Sequence, residues 1–173
     1  MLQKQNAMES VPEMKPRPTF LVVLCTLSFI AGTWGLVANF SNYENAASVS
    51  TSISQTMDET RALMKSSIRT GADQKMMDRL FTDFSILTDT TKIKQSALLG
   101  ILSNILTLIG VLLMYRMRKK GFGFYIMGIG VYIGSPILVY GLQNLAGMSF
   151  FLLSLFIGLL FSVFYLRTLK YMA

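Results

Sequence analysis

Four long stretches of the chain are apolar almost without interruption: Thr19 to Phe40, Ala97 to Tyr115, Phe122 to Leu142 and Met148 to Leu166. None contains Asp, Glu, Lys or Arg. A bilayer core about 30 Å thick needs about 20 apolar residues at about 1.5 Å rise each, so every stretch can cross it as a helix. A charge at the bilayer centre costs at least about 2.5 kcal/mol, which makes its absence from all four informative. Helices buried in a soluble protein can be as apolar, but four of them in 173 residues would leave almost nothing to cover them. The pattern predicts an all-α membrane protein with four transmembrane helices.

Between the first two stretches the pattern changes. From Ser41 to Ser96, Val49, Ile53, Met57, Met64 and Ile68 recur at helical spacing, with Asp58, Glu59, Arg61 and Lys65 on other faces. Gly71 is a natural stop, and Asp73 a fair N-cap for a second helix. In that helix Met76, Met77, Leu80, Phe81, Phe84 and Leu87 form a broad apolar stripe, and Thr88 to Thr91 break the pattern. These positions predict an amphipathic helical hairpin outside the membrane, its first helix able to continue from span one. The stripe can pack on that first helix, lie in the headgroup layer or dock on another protein; its paired Met and Phe side chains make it the candidate partner surface.

Composition agrees: 52% of residues are hydrophobic, 14% are charged, and the mean hydropathy is +0.49. A soluble domain of this size carries a more charged surface. The charges also set an orientation. Residues 1–18 carry Lys4, Lys15 and Arg17 against Glu9 and Glu13; the link between spans two and three holds Arg116, Arg118, Lys119 and Lys120; and residues 167–173 add Arg167 and Lys170. Segment 41–96 has seven cations and seven anions, and link 143–147 has no charge. The whole formal charge of +7 thus falls on one side, which the positive-inside rule makes cytoplasmic. Lys92 and Lys94 count against this, but the cluster at the other end of span two outweighs them. Both termini are expected in the cytoplasm and segment 41–96 outside it. The basic balance therefore reports topology and attraction to anionic lipid, with Arg116, Arg118, Lys119 and Lys120 as the headgroup contacts, and not nucleic acid.

Span one is too long for a typical signal-peptide core, and no clean small-x-small cleavage site follows it. The single Cys, Cys25, follows bulky Leu24 and reads as a small packed hydrophobe rather than a lipid-bearing cysteine.

Within the spans, small residues recur every four positions. The candidate helix-packing residues are Gly32 in span one, Gly100 and Asn104 in span two, Gly130 and Gly134 in span three, and Ser154, Gly158 and Ser162 in span four. Helices in lipid associate where small residues let backbones approach. Asn104 is the strongly polar side chain deep in a span and needs a partner, expected to be Ser, Thr or backbone of a neighbouring helix. Pro136 removes one helix hydrogen bond and predicts a kink. Trp34, Tyr43, Tyr115, Phe122, Tyr125, Tyr140, Tyr165 and Tyr171 fall near the expected interfaces.

Two stretches, Arg17 to Ile30 (RPTFLVVLCTLSFI) and Gly110 to Tyr125 (GVLLMYRMRKKGFGFY), resemble an uncharacterised family of four-span inner-membrane proteins from Bacteroidetes. The likeness rests on the Pro16–Pro18 lead-in to span one, the helical segment 41–96 and the basic turn running into Gly121-Phe122, and covers about half the chain. It implies a bacterial inner-membrane location and carries over no activity.

Function classes separate on chemistry. The chain has no His, no span contains Asp or Glu, and Cys25 has no base near it in sequence, so no catalytic set, cofactor site or metal site is expected. Transport coupled to ions or protons places ionisable groups in the membrane, and the spans have none, although broken helices can supply backbone ligands. A structural or accessory subunit of a membrane protein complex needs no such groups. That is the expected function, with membrane lipids and another membrane protein or further copies of the chain as partners. A small oligomeric channel or transporter is the alternative.

Overall fold

The computed structural model describes residues 19–67 and 71–169. Among the described residues every regular element is helical: α1 (Thr19–Glu44), α2 (Ala46–Ser67), α3 (Gly71–Phe84), a 3₁₀ turn (Ser85–Thr88), α4 (Thr90–Tyr115), α5 (Lys120–Tyr140) and α6 (Leu145–Thr168). The helices α1, α4, α5 and α6 are long and apolar enough to cross a membrane. Ile30, Trp34, Val37, Leu138 and Phe156 stand exposed on their outer faces.

These helices outrun the apolar windows. α1 continues to Glu44, and α4 begins at Thr90, seven residues before Ala97. A helix propagates through backbone bonds and does not stop where the side chains turn polar. Asp89 starts α4, its carboxylate accepting from the Thr91 amide at 2.9 Å. α6 likewise starts at Leu145 rather than Met148, while α5 ends at Tyr140, before Leu142. Gly141, with φ +77°, ends α5 and is the only glycine among the described residues in the left-handed region.

α2 follows α1 with almost no break: the Asn45 amide donates to the Ser41 carbonyl and the Val49 amide to the Asn45 carbonyl, both at 2.9 Å. α3 starts at Gly71, the position expected to stop the preceding helix, so Asp73 lies inside it and is not its cap. The N-terminal arm, Ile68, Arg69, Lys170 and Tyr171 lie outside the described residues.

The basic turn closes α4 in a Schellman arrangement. The Arg118 amide donates to the Leu113 carbonyl (3.0 Å) and the Met117 amide to the Met114 carbonyl (2.9 Å), with Met117 left-handed at φ 62°. α4 and α5 then pack antiparallel. The apolar core gathers at this end: Leu21, Leu24, Cys25, Val111, Met114, Tyr125 and Tyr165 form one buried cluster.

Candidate functional site

Three of the four helix seams are tight. Along α1–α4, Gly32 faces the Leu108 side chain, Gly35 faces the Asn104 amide and Gly100 faces Asn39. Along α4–α5 the backbones themselves meet: a Cβ on Gly110 would sit 2.5 Å from the Tyr125 nitrogen, one on Gly121 2.6 Å from the Met114 nitrogen, and one on Gly128 2.8 Å from the Thr107 nitrogen. Along α5–α6, Gly158 receives Ile129 and Ile133, and Gly147 lies against the Gly141 carbonyl.

The fourth seam is different. α1 and α6 share far less surface than the other neighbours. They are joined where the Tyr165 hydroxyl donates to Ser28 Oγ at 2.9 Å, with the Leu24 carbonyl 3.2 Å away, and where Phe20 and Phe164 meet edge-on with centroids 6.3 Å apart. Tyr165 is fully buried and its ring lies 4.5 Å from that of Tyr125. Beyond this contact lies a cleft of about 170 Å³, whose lining includes Ser28 and Gly32 of α1, Asn104 and Thr107 of α4, Tyr132 of α5 and Gly158 of α6.

The polar groups of this cleft are turned inward. Ser103 Oγ donates across the α4–α5 seam to the Gly128 carbonyl at 2.9 Å, Thr107 Oγ1 to the Ser103 carbonyl at 2.8 Å, and Asn104 Nδ2 to the Gly100 carbonyl at 2.8 Å. Asn104 was expected to bond a neighbouring helix; it bonds its own, and Ser103 beside it makes the bond between helices. Glycine opposite the amide explains this, because Gly35 offers room for the side chain and no side-chain partner. The cleft therefore combines small residues and hydroxyl oxygens with the larger side chains of Tyr125, Ile129, Tyr132, Ile157 and Phe161, and its lining carries no charge. The chain matches no protein-family model, no curated protein and no solved structure.

The remaining sequence candidates divide. Ser154 is buried on the same α6 face as Gly158, and Ser162 donates to the Gly158 carbonyl of its own helix at 2.7 Å. Among the described residues nothing packs on Gly130 or Gly134: a Cβ on either would meet none of their atoms within 4 Å. Four-residue spacing selects this pair, but the face of α5 that meets α4 carries Gly121, Tyr125 and Gly128. α5 runs through Pro136 as one helix, and Ser135 Oγ donates at 3.0 Å to the Tyr132 carbonyl, the acceptor that the proline cannot serve.

Outside the bundle, Met77 is buried while Met76 is 66% exposed. Leu80, Phe81 and Phe84 line a groove whose other wall is α2. The rim is tied by Arg61 to Asp78 at 2.6 Å, the guanidinium lying 5.7 Å from the Phe81 centroid. Arg116, Arg118, Lys119 and Lys120 are all exposed at the opposite end of the bundle. Among the described residues no three His, Cys, Asp or Glu side chains gather where they could hold a metal ion.

Proposed function

We propose that this chain is a non-enzymatic multi-pass protein of a bacterial inner membrane, acting as a structural or accessory subunit of a membrane protein complex. The observation that carries the reading is the α1–α6 cleft: three seams are closed by glycine contacts, and the fourth is pinned around Tyr165 and lined by Ser28, Ala31, Gly32 and Gly158. Small residues on an open seam suit the approach of a further apolar helix, since association in lipid depends on close backbone packing and not on hydrophobicity. The uncharged lining favours this over proton- or ion-coupled transport. The inner-membrane location rests on the resemblance of Arg17–Ile30 and Gly110–Tyr125, and the cytoplasmic placement of the Arg116–Lys120 turn and both termini on the one-sided positive charge.

A photo-reactive residue placed at Ala31 or Ile157, which line the cleft, and at Met127, which faces away from it, tests the assignment in membranes. Adducts with a different membrane protein at the first two positions, and not at Met127, are expected. Adducts only with a second copy turn the reading to the oligomeric channel or transporter, and no adduct at either cleft position overturns it. Cysteines introduced at Arg61 and Arg118 in a Cys25→Ser chain test orientation: the first should react with an impermeant reagent from outside intact cells and the second should not.

A further inference from the structure

The α1–α6 cleft is smaller than any helix it could receive. Its volume is about 170 Å³, whereas one turn of helix, about 5.4 Å long and 10–12 Å across, fills about 400–600 Å³. A docked helix therefore lies across the mouth, and what enters is one of its side chains. The chemistry of that side chain is set by what the lining leaves unpaired.

Most polar atoms of the lining are already engaged. Ser28 Oγ receives the Tyr165 hydroxyl, Ser103 and Thr107 donate to backbone carbonyls, and Asn104 Nδ2 donates to the Gly100 carbonyl. Three oxygens bond no described residue: the hydroxyls of Tyr125 and Tyr132, and Asn104 Oδ1. Tyr132 is 42% exposed, so its hydroxyl is not confined to the cleft. Tyr125 is only 3% exposed, its ring held 4.5 Å from that of Tyr165. Its hydroxyl is nevertheless not sealed in, because among the described residues the one sealed and unbonded side-chain polar atom is Arg61 Nε. The hollow that Tyr125 and Asn104 both line is this cleft. In the transmembrane reading it opens on lipid, which offers a stranded oxygen no hydrogen bond.

We infer that a docked partner helix places one carboxamide side chain, Gln or Asn, in the cleft, its oxygen accepting from the Tyr125 hydroxyl and its N–H donating to Asn104 Oδ1. The lining offers a donor, an acceptor and no charge, so a carboxylate or an ammonium group would stand unpaired in lipid. A Ser or Thr spends its one proton on its own helix, as Thr107 and Ser162 do, while a carboxamide has a carbonyl and two N–H donors. The inference rests on the reading of the cleft as a docking seam and adds the side chain that the seam takes.

The test uses the full chain in vesicles with synthetic spanning helices of about 20 Leu and Ala residues. The helices are identical except for one central residue, which is Leu, Gln or Glu. A photo-reactive residue at Ile157, in the cleft, or at Met127, facing away from it, captures whichever helix docks. Two interhelical hydrogen bonds of average strength in lipid multiply association about 7-fold. The Gln helix should therefore label Ile157 at about one seventh of the concentration that the Leu helix needs. Tyr125→Phe, which keeps the ring, should bring the two helices within about 2-fold of each other, and Asn104→Leu repeats the measurement from the acceptor side. Equal labelling by Gln and Leu, stronger labelling by Glu, or a Gln preference that survives both substitutions overturns the carboxamide and leaves the docking seam standing. Labelling at Ile157 no greater than at Met127 for every helix overturns the seam itself.

Discussion

The hydroxyl of Tyr165 stands 2.9 Å from Ser28 Oγ and, with the Phe20–Phe164 ring contact, closes α6 onto α1 at a seam that is open beyond them. The ring fills the core beside Tyr125, and the hydroxyl satisfies polar groups of another helix. The two contributions can be separated. Tyr165→Phe should cost about 0.6 kcal/mol, the average for an interhelical hydrogen bond in lipid. Tyr165→Ala should cost about 3–5 kcal/mol through the cavity it leaves. Unfolding of the purified chain in mixed micelles, followed by circular dichroism, measures both, and equal losses would contradict the packing role of the ring.

The glycines of α5 make a sharper contrast. Gly128→Ala puts a Cβ against the Thr107 hydroxyl and backbone and should destabilise by about 1–3 kcal/mol, as overpacking does. Gly130→Ala and Gly134→Ala meet open space and should leave the isolated chain as stable as before or slightly more so, because alanine favours the helix. If the latter pair disturbs assembly in membranes while stability in micelles is unchanged, their face meets a neighbour outside the chain.

Ser135 and Pro136 form a local pair that a double-mutant cycle can isolate. Ser135→Ala removes the donor to the Tyr132 carbonyl and should cost about 1 kcal/mol. In a Pro136→Ala chain the new amide at 136 serves that carbonyl, so the same serine substitution should then cost almost nothing. Equal costs in the two backgrounds would refute the compensation.

The Arg61–Asp78 bridge joins side chains that are 42% and 47% exposed, so solvent screens it. Asp78→Asn should weaken the docking of α3 on α2 by at most about 1 kcal/mol. In about 1 M salt, where the screening length falls to about 3 Å, the difference should vanish. Hydrogen exchange of the α3 amides at low and high salt reads it directly.

Much of the fold was legible in the residue pattern because transfer into lipid is governed by local composition. The four apolar windows, the two polar-faced helices between the first pair and the basic turn all follow from that. Helix ends were less legible, since α1 and α4 run on through polar residues to Glu44 and from Thr90. Seam geometry was the hardest. Gly32, Gly100 and Gly158 stand where small-residue spacing placed them, but the backbone contacts of Gly110, Gly121 and Gly128 were missed. Their signal is faint: Gly110 and Gly121 stand near the two ends of the basic turn, in a stretch with other glycines at more regular intervals. Which face of α5 meets α4 depends on the pairing across the turn, which spacing within one helix does not contain. Ser103 was passed over for Asn104 for the same reason: polarity draws attention to the amide, whereas the approach of Gly128 gives the bond to the hydroxyl.

The single weak seam gives the four rods the outline of a horseshoe rather than a ring. In the transmembrane reading of these rods, its mouth faces sideways, into the plane of the sheet, and whatever it receives comes by two-dimensional diffusion, at an encounter rate set by crowding in that plane.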